Sequence, residues 1–348
     1  MKKLIIFLAL LALIGLSVFL YMQYDQPEPS NQKYITFSIN AQEFLFVDEG
    51  INTINQVIDL HEQYQVPIEI LLTSTVVTIY EEQAPDLLER LKTSDQVAVS
   101  YHLRPPTPYY TGFDFLDLGE MESREFHETV LSYEEHAIDL NTGLPTEEPG
   151  GYEHLKQLLG YPPKSVGMQS DSEAVGNVVA NVFKEKGVTF AIAHGESETP
   201  YESEDCLYIK PEYMMNLGEQ VNDIYVKPED VSIRLFQCLD RNPEEVIVDG
   251  FTYYEGSAPV FMNIKMHDND FFSEKSAWTQ VYLGKNGQHF GEEDFDYMDF
   301  KDESLLLSKE EQAAFWEMYE NAVAYISESS EYTAIGPFST EALLGSQQ

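Results

Sequence analysis

Along residues 260–266 apolar side chains fall on every second position, Val260, Met262, Ile264 and Met266. A period of two predicts a strand. The run ends abruptly in polar groups, His267, Asp268, Asn269 and Asp270. That is the pattern of a barrel strand delivering reactive side chains to its C-terminal rim; an ordinary strand followed by an Asp- and Asn-rich turn reads the same way. β-Branched and aromatic runs predict further strands at 34–40, at the start of 68–78, at 97–101, 165–170 and 188–193, with shorter candidates at 206–210 and 332–335. Ile51, Ile54, Val57, Ile58 and Leu60 recur at helical spacing within 50–63. Helices are also expected at 85–91 behind Pro85, at 120–140, at 151–159, and from a cap at Asp171 through Val178, Val179, Val182 and Phe183 to Gly187. Ser308 and Glu311 have the spacing of a capping box for a helix reaching Ile326, and residues 228–239 are expected to be partly helical.

Strand–helix–strand–helix–strand over residues 34–101 predicts parallel strands joined by right-handed crossovers. The fold class expected is α/β, with Asn40, His102, Ser170, His194 and His267 together at one rim. Residues 104–115, rich in Pro and Tyr, are too irregular for a standard connection, and loops of this kind on a barrel rim hold ligand contacts.

The first residues add a destination. Lys2 and Lys3 precede an uncharged apolar run over 4–21, which predicts a signal peptide or N-terminal membrane anchor over 1–24. A polar linker with Pro27 and Pro29 follows over 25–33, and residues 34–348 are expected to form one barrel domain. The folded part is therefore expected to be extracytoplasmic, either membrane-anchored or secreted. Cys206 and Cys238 are the only cysteines; in an exported chain they could pair, and their spacing does not decide it.

Charge narrows the partners. Sixty acidic and 20 basic residues give a net charge of −40, which excludes nucleic acid as a partner because phosphate binding needs basic surface. Polyanionic glycans are disfavoured for the same reason, unless a local basic groove hides in the fold.

Three expected strand ends carry polar groups: Asn40-Ala41-Gln42-Glu43, His102, and His267-Asp268. Their order and spacing resemble the polysaccharide deacetylase family, the nodulation-protein-B-like carbohydrate esterases, over residues 34–282. In that family a first motif T-F-D-D-G-P (or a D-x-E-D variant) corresponds to Thr36-Phe37-Ser38-Ile39-Asn40-Ala41-Gln42-Glu43 here. A strand ending in H-x-x-x-H corresponds to Val97-Ala98-Val99-Ser100-Tyr101-His102, and a strand ending in L-x-H-D to Ile264-Lys265-Met266-His267-Asp268. The resemblance implies an irregular (β/α)7 barrel and an exported hydrolase that removes acetyl groups from a glycan with a zinc-like divalent ion.

Carried over residue by residue, it makes His267 the catalytic acid, with Glu43 and Asp268 as catalytic carboxylates and His102 as a metal ligand. Asp171, His194 or Asp268 are further candidates to complete a metal site. Asn40 and Gln42 hydrogen-bond the sugar, while Arg104, Tyr109 and Tyr110 clamp it and stack on it. The departures are as definite. Asn40 and Gln42 are amides where the family has acids, and amides cannot act as general bases near pH 7. Pro106 stands where the second metal histidine belongs. A glycan-binding protein that has lost catalysis is therefore an alternative, as is a glycosidase using a carboxylate pair such as Glu43 and Asp268 at about 5–9.5 Å. His61, His127, His136 and His154 lie in helical stretches and are expected at the surface.

Overall fold

The computed structural model describes residues 32–336 except 169–171, 194–198, 202–203, 210–219, 222–223, 227–228 and 257. The expected leader or anchor, most of the linker, and Ser170, Asp171 and His194 lie outside the described residues. Among those described, no helix is long and apolar enough to cross a membrane.

The chain begins with β1 (Lys33–Ala41), α1 (Val47–Tyr64) and β2 (Ile68–Leu72). Next come α2 (Ser74–Gln83), α3 (Pro85–Thr93) and β3 (Val97–His102). After the Pro- and Tyr-rich loop follow α4 (Ser123–Tyr133), a small hairpin of β4 (His136–Ile138) and β5 (Pro145–Pro149), and α5 (Gly151–Leu159). β6 (Ser165–Met168), α6 (Glu173–Lys186) and β7 (Phe190–Ala193) extend the alternation. Short strands come next: β8 (Thr199–Tyr201), β9 (Glu204–Ile209), β10 (Gln220–Val221), β11 (Ile224–Val226) and β12 (Val231–Arg234). The chain continues with α7 (Pro243–Tyr253), β13 (Val260–His267), α8 (Ala277–Tyr282), α9 (Lys309–Glu328) and β14 (Tyr332–Ala334).

One sheet dominates, in the order β10-β11-β7-β6-β3-β2-β1-β13-β12-β9-β8, with β14 against the start of β1. From β11 through β12 all neighbours are parallel. The ends differ: β10 with β11, β12 with β9, and β8 with β9 are antiparallel. The α/β class is as expected; of the irregular (β/α)7 barrel expected from sequence the structure shows a parallel run with antiparallel strands at either end, and the described strands do not close into a ring.

Alternation along the strands sorts their side chains onto two faces. Ile35, Phe37 and Ile39 of β1 turn to the helices, where the Phe37 ring meets His61 of α1 at 5.2 Å and Tyr319 of α9 at 6.3 Å. The other face is polar: Thr36 and Ser38 reach the Asn263 side chain of β13 at 3.3 and 3.0 Å. Glu69 on β2 takes the Ser100 hydroxyl of β3 at 2.6 Å. Tyr34 and Phe261, stacked at 5.1 Å with Ile335 beside them, plug the N-terminal end of this polar interior. The apolar period along 260–266 therefore marks the outside of the sheet, and the residues between, Asn263, Lys265 and His267, form its inner lining.

Several local expectations change. The helix placed at 120–140 stops at Tyr133, and the chain turns into the β4–β5 hairpin. Of the stretch 228–239 expected to be partly helical, Val231–Arg234 form β12 and the helical part is a 3-10 turn at Leu235–Gln237. α6 is capped by Ser172, whose side chain accepts from the Val175 N–H. His61 is buried, not at the surface: Nε2 lies 2.5 Å from the Tyr319 hydroxyl and Nδ1 lies 2.8 Å from the Val66 carbonyl, and burial pushes its pKa down to about 4. His154 lies against Glu81 at 2.8 Å. The Ser308–Glu311 capping box opens α9 as its spacing predicts. Cys206 and Cys238 form a disulfide, with Cα atoms 5.5 Å apart, that ties β9 to the turn after β12.

Candidate functional site

Parallel register brings three strand ends to one rim. Asn40 of β1 stands opposite His267 of β13, Leu72 of β2 opposite Tyr101 of β3, and His102 opposite Gly167 of β6. Asn40 is fully buried on the polar inner face, and among the described residues neither its amide nitrogen nor its oxygen has a hydrogen-bond partner. His102 is packed against β6 through a glycine. A Cβ on Gly167 would lie 2.7 Å from His102 Nδ1, and that nitrogen is 3.2 Å from the Gly167 carbonyl. A carbonyl only accepts, so Nδ1 carries the proton and Nε2 is the acceptor in the neutral ring.

The two carboxylates expected at the rim are occupied by backbone. Asp268 Oδ2 accepts the N–H groups of Gln42 and Glu43 at 2.9 and 3.0 Å, and its Oδ1 accepts from Asn269 at 2.9 Å. It pins the end of β1 to the end of β13. Glu43 Oε1 accepts from Leu45 and Phe46 at 2.7 and 2.8 Å, ahead of α1, and Oε2 accepts from Ala277 at 3.2 Å, the first residue of α8. Burial pushes Glu43 up to about 7 against these donors. Burial, reinforced by the Glu43 charge, pushes Asp268 well above the usual carboxylate range.

Arg104 organises the other side of the rim. Its Nε donates to Gln42 Oε1 at 2.8 Å and its Nη1 to the Tyr110 hydroxyl at 3.0 Å. The guanidinium lies 5.1 Å from the ring centroids of both Tyr110 and Trp278, a cation–π arrangement. Gln42, Thr73, His102, Arg104 and Trp278 line a narrow cleft of about 10 Å³, room for one water. The Thr73 hydroxyl and the Trp278 indole N–H are buried there with no hydrogen-bond partner among the described residues.

His267 is partly exposed, with Nδ1 3.3 Å from Asp270 Oδ2 and its ring 5.8 Å from Phe236. Burial lowers its pKa, and Arg104 and Lys265 add to that effect while Asp270 opposes it.

The structure thus gathers Gln42, His102 and Arg104 around one cleft, with Tyr110 outside its lining and against Arg104 and Trp278, and sets Asn40 beside His267 on the inner face. Glu43 turns away toward two helix starts, so Glu43, His102 and His267 do not share the cleft. Tyr109 is a packing residue: its hydroxyl bonds Glu134 and its ring meets Tyr133 at 5.9 Å. Thr73 and Trp278 went unread in the sequence. Thr73 carried the same signal as the other rim residues, a polar side chain closing an apolar strand. Trp278 sits on a six-residue helix with no period to betray it.

Among the described residues, which leave out the candidates Asp171 and His194, the donor set does not fit a zinc-like ion. Among the described residues no three His, Cys, Asp or Glu side chains come together to hold one. The proposed ligand His102 shares its cleft with the Arg104 guanidinium, whose charge opposes a dication.

No family model matches the chain and no curated protein matches it in sequence. Among solved structures it is similar to the peptidoglycan deacetylase PdaC from Bacillus subtilis, at 14% identity over 92% of this chain and 95% of that one, with a TM-score of 0.37. It is also similar to a family 4 carbohydrate esterase from Bacillus anthracis, at 17% identity over 47% of this chain and 58% of that one, TM-score 0.24. A 4-α-glucanotransferase from Thermococcus litoralis matches at 11% identity over 89% of this chain, TM-score 0.45, and the chain spans about 40% of that protein's length. All three are weak likenesses of fold, and the chemistry of the site is read from its own residues.

Proposed function

We propose that this chain is an extracytoplasmic glycan-binding protein, holding sugar at the sheet's C-terminal rim without hydrolysing it. The observation that carries this reading is the commitment of Glu43 and Asp268: each receives three backbone N–H groups, and both oxygens of each are used. A base or nucleophile needs a lone pair aimed at the substrate. What remains toward the cleft is recognition chemistry: amide, imidazole, guanidinium, hydroxyl and indole groups. The Cys206–Cys238 disulfide supports an oxidising compartment, and the apolar run after Lys2 and Lys3 supplies a route to it.

The full chain, titrated calorimetrically with acetylated chitooligosaccharides and xylan fragments, should bind at least one of them saturably. Affinity should be unchanged by EDTA, and no acetate or reducing ends should appear over a day. Acetate release above background that EDTA abolishes would defeat the reading.

A second reading keeps a hydrolase. The specific observation behind it is the His267–Asp270 pair, in which a carboxylate orients an imidazole as in general acid–base catalysis. It requires turnover on some glycan, lowered about 10²–10⁴-fold by His267→Asn.

A further inference from the structure

Among the described residues, the N-terminal end of the sheet is covered on one side only. Under β1 and β13, Tyr34 and Phe261 stack at 5.1 Å with Ile335 beside them, all three buried. Under the starts of β2 and β3 lies a groove of about 550 Å³, the size of ordinary ligand pockets, about 300–1,000 Å³. Ile68 and Ala98 line it, together with Pro67, Val97, Tyr161 and Pro162, each of which is only half-buried. We infer that residues 337–344 of the same chain fill this groove, with Phe338 as the anchor.

The path of the chain leads there. β14 runs parallel to β1, with Ala334 opposite Ile35. One edge of β1 is taken by β13 from Lys33 to Asn40, so β14 shares the other edge with β2, whose pairing begins at Phe37 opposite Ile68. The Ile335 N–H donates to the Ile35 carbonyl at 2.8 Å. Beyond that bond β2 stands in the way: a Cβ on Gly336 would lie 3.6 Å from Pro67 Cβ. The strand cannot continue along β1, and the chain leaves the sheet at Gly336, which is itself part of the groove's lining.

The sequence that follows suits an apolar seat. Pro337 has no N–H to offer a partner strand. Phe338 is two residues from Gly336, within about 7 Å of extended chain, and a tether that short sets an effective concentration in the millimolar range or above. Ala342, Leu343 and Leu344 come within a reach of about 20–29 Å. Charge agrees. The lining holds Lys92 and Lys164 against a single acid, Asp95, a local excess of base in a chain of net charge −40, and Glu341 is the one charged residue among 337–344.

The test replaces Phe338 in the full chain with the photo-reactive p-benzoylphenylalanine, which keeps the aromatic ring. After irradiation, peptide mapping should find position 338 joined to residues 92–98 or 161–164 of the same molecule. Thermolysin, which cuts before Leu343 and Leu344, supplies an independent readout. It should cut the full chain there about 10–100-fold more slowly than a synthetic peptide of residues 332–348, the worth of burying one Phe side chain. Phe338→Ala and Tyr161→Ala should each raise the cutting rate, and the double variant should raise it no further than either alone, because both remove one contact.

Cross-links between two molecules at this groove would make a second copy the occupant and overturn the inference. Cross-links to any other part of the chain would overturn it as well. So would cutting of the full chain as fast as the free peptide.

Discussion

Gly167 shows how much a single missing methyl can position. With the nearest His102 atom 2.7 Å from where a Cβ would stand, Gly167→Ala must push the imidazole off β6. The expected result is a lower melting temperature, by the equivalent of about 1–3 kcal/mol, together with shifted His102 ring resonances. His61 makes the opposite point about legibility. Its sequence neighbours place it on an amphipathic helix, but what buries it is Tyr319, 258 positions away, and local pattern carries no trace of that contact. Because its folded pKa is about 4 against an ordinary 6.5, the unfolded chain takes the proton first. The stability gained from neutral His61 is present above about pH 6.5 and is lost as pH falls through 4. The urea-midpoint gap between wild type and His61→Gln should therefore narrow over that window. At the rim, Asn40 and His102 were readable because polar groups ending apolar strands are conspicuous, and Arg104 because it opens an irregular Pro- and Tyr-rich loop. The fate of Glu43 was not, since its ligands Leu45, Phe46 and Ala277 are backbone donors with no side-chain signature.

Among elements, those with a long period or an explicit cap were legible. α9 follows its Ser308–Glu311 box, and Ser308→Ala should cost about 1 kcal/mol in urea denaturation, since the hydroxyl's bonds with the Glu311 N–H and carboxylate are lost. β12 was misread because four residues are too few to separate a strand from a helix by period. The early stop of α4 has a physical cause: Glu134, which follows it, turns inward to the Tyr109 hydroxyl and the Tyr152 N–H. The disulfide spans 32 positions, a loop whose closure is worth roughly 4 kcal/mol by chain entropy. Reduction, or Cys206→Ser with Cys238→Ser, should lower the denaturation midpoint accordingly.

Acidity sets the behaviour of the whole molecule. Glu43 and Glu134 both sit at about 7, raised chiefly by burial. The folded state thus holds their protons between about pH 4.5 and 7 while the unfolded state releases them. Stability falls as pH rises through that window, and self-repulsion at a net charge of −40 acts in the same direction. Melting temperature should rise on acidification from pH 8 to about 5, and Glu134→Gln should flatten the curve. A profile with its maximum at pH 8 would contradict the buried-acid account. Net charge and fold class were open to reading from composition and alternation. Sheet closure was not, because the antiparallel end strands are too short to announce their direction.

The Asp268 bridge to Gln42 and Glu43 joins residues 226 positions apart, and it makes the order of assembly matter. β1 is a central strand, yet one of its two long edges must wait for β13. Until residue 267 is available, a nascent chain presents that edge bare, with its N–H and C=O groups unpaired and open to any neighbouring strand. Contacts so distant in sequence make for slow closure. Under the export proposed above, with the chain crossing a membrane in extended form, delay is an advantage, since no stable core can lock before β13 has passed. A version truncated before Val260 should stay unfolded and aggregate.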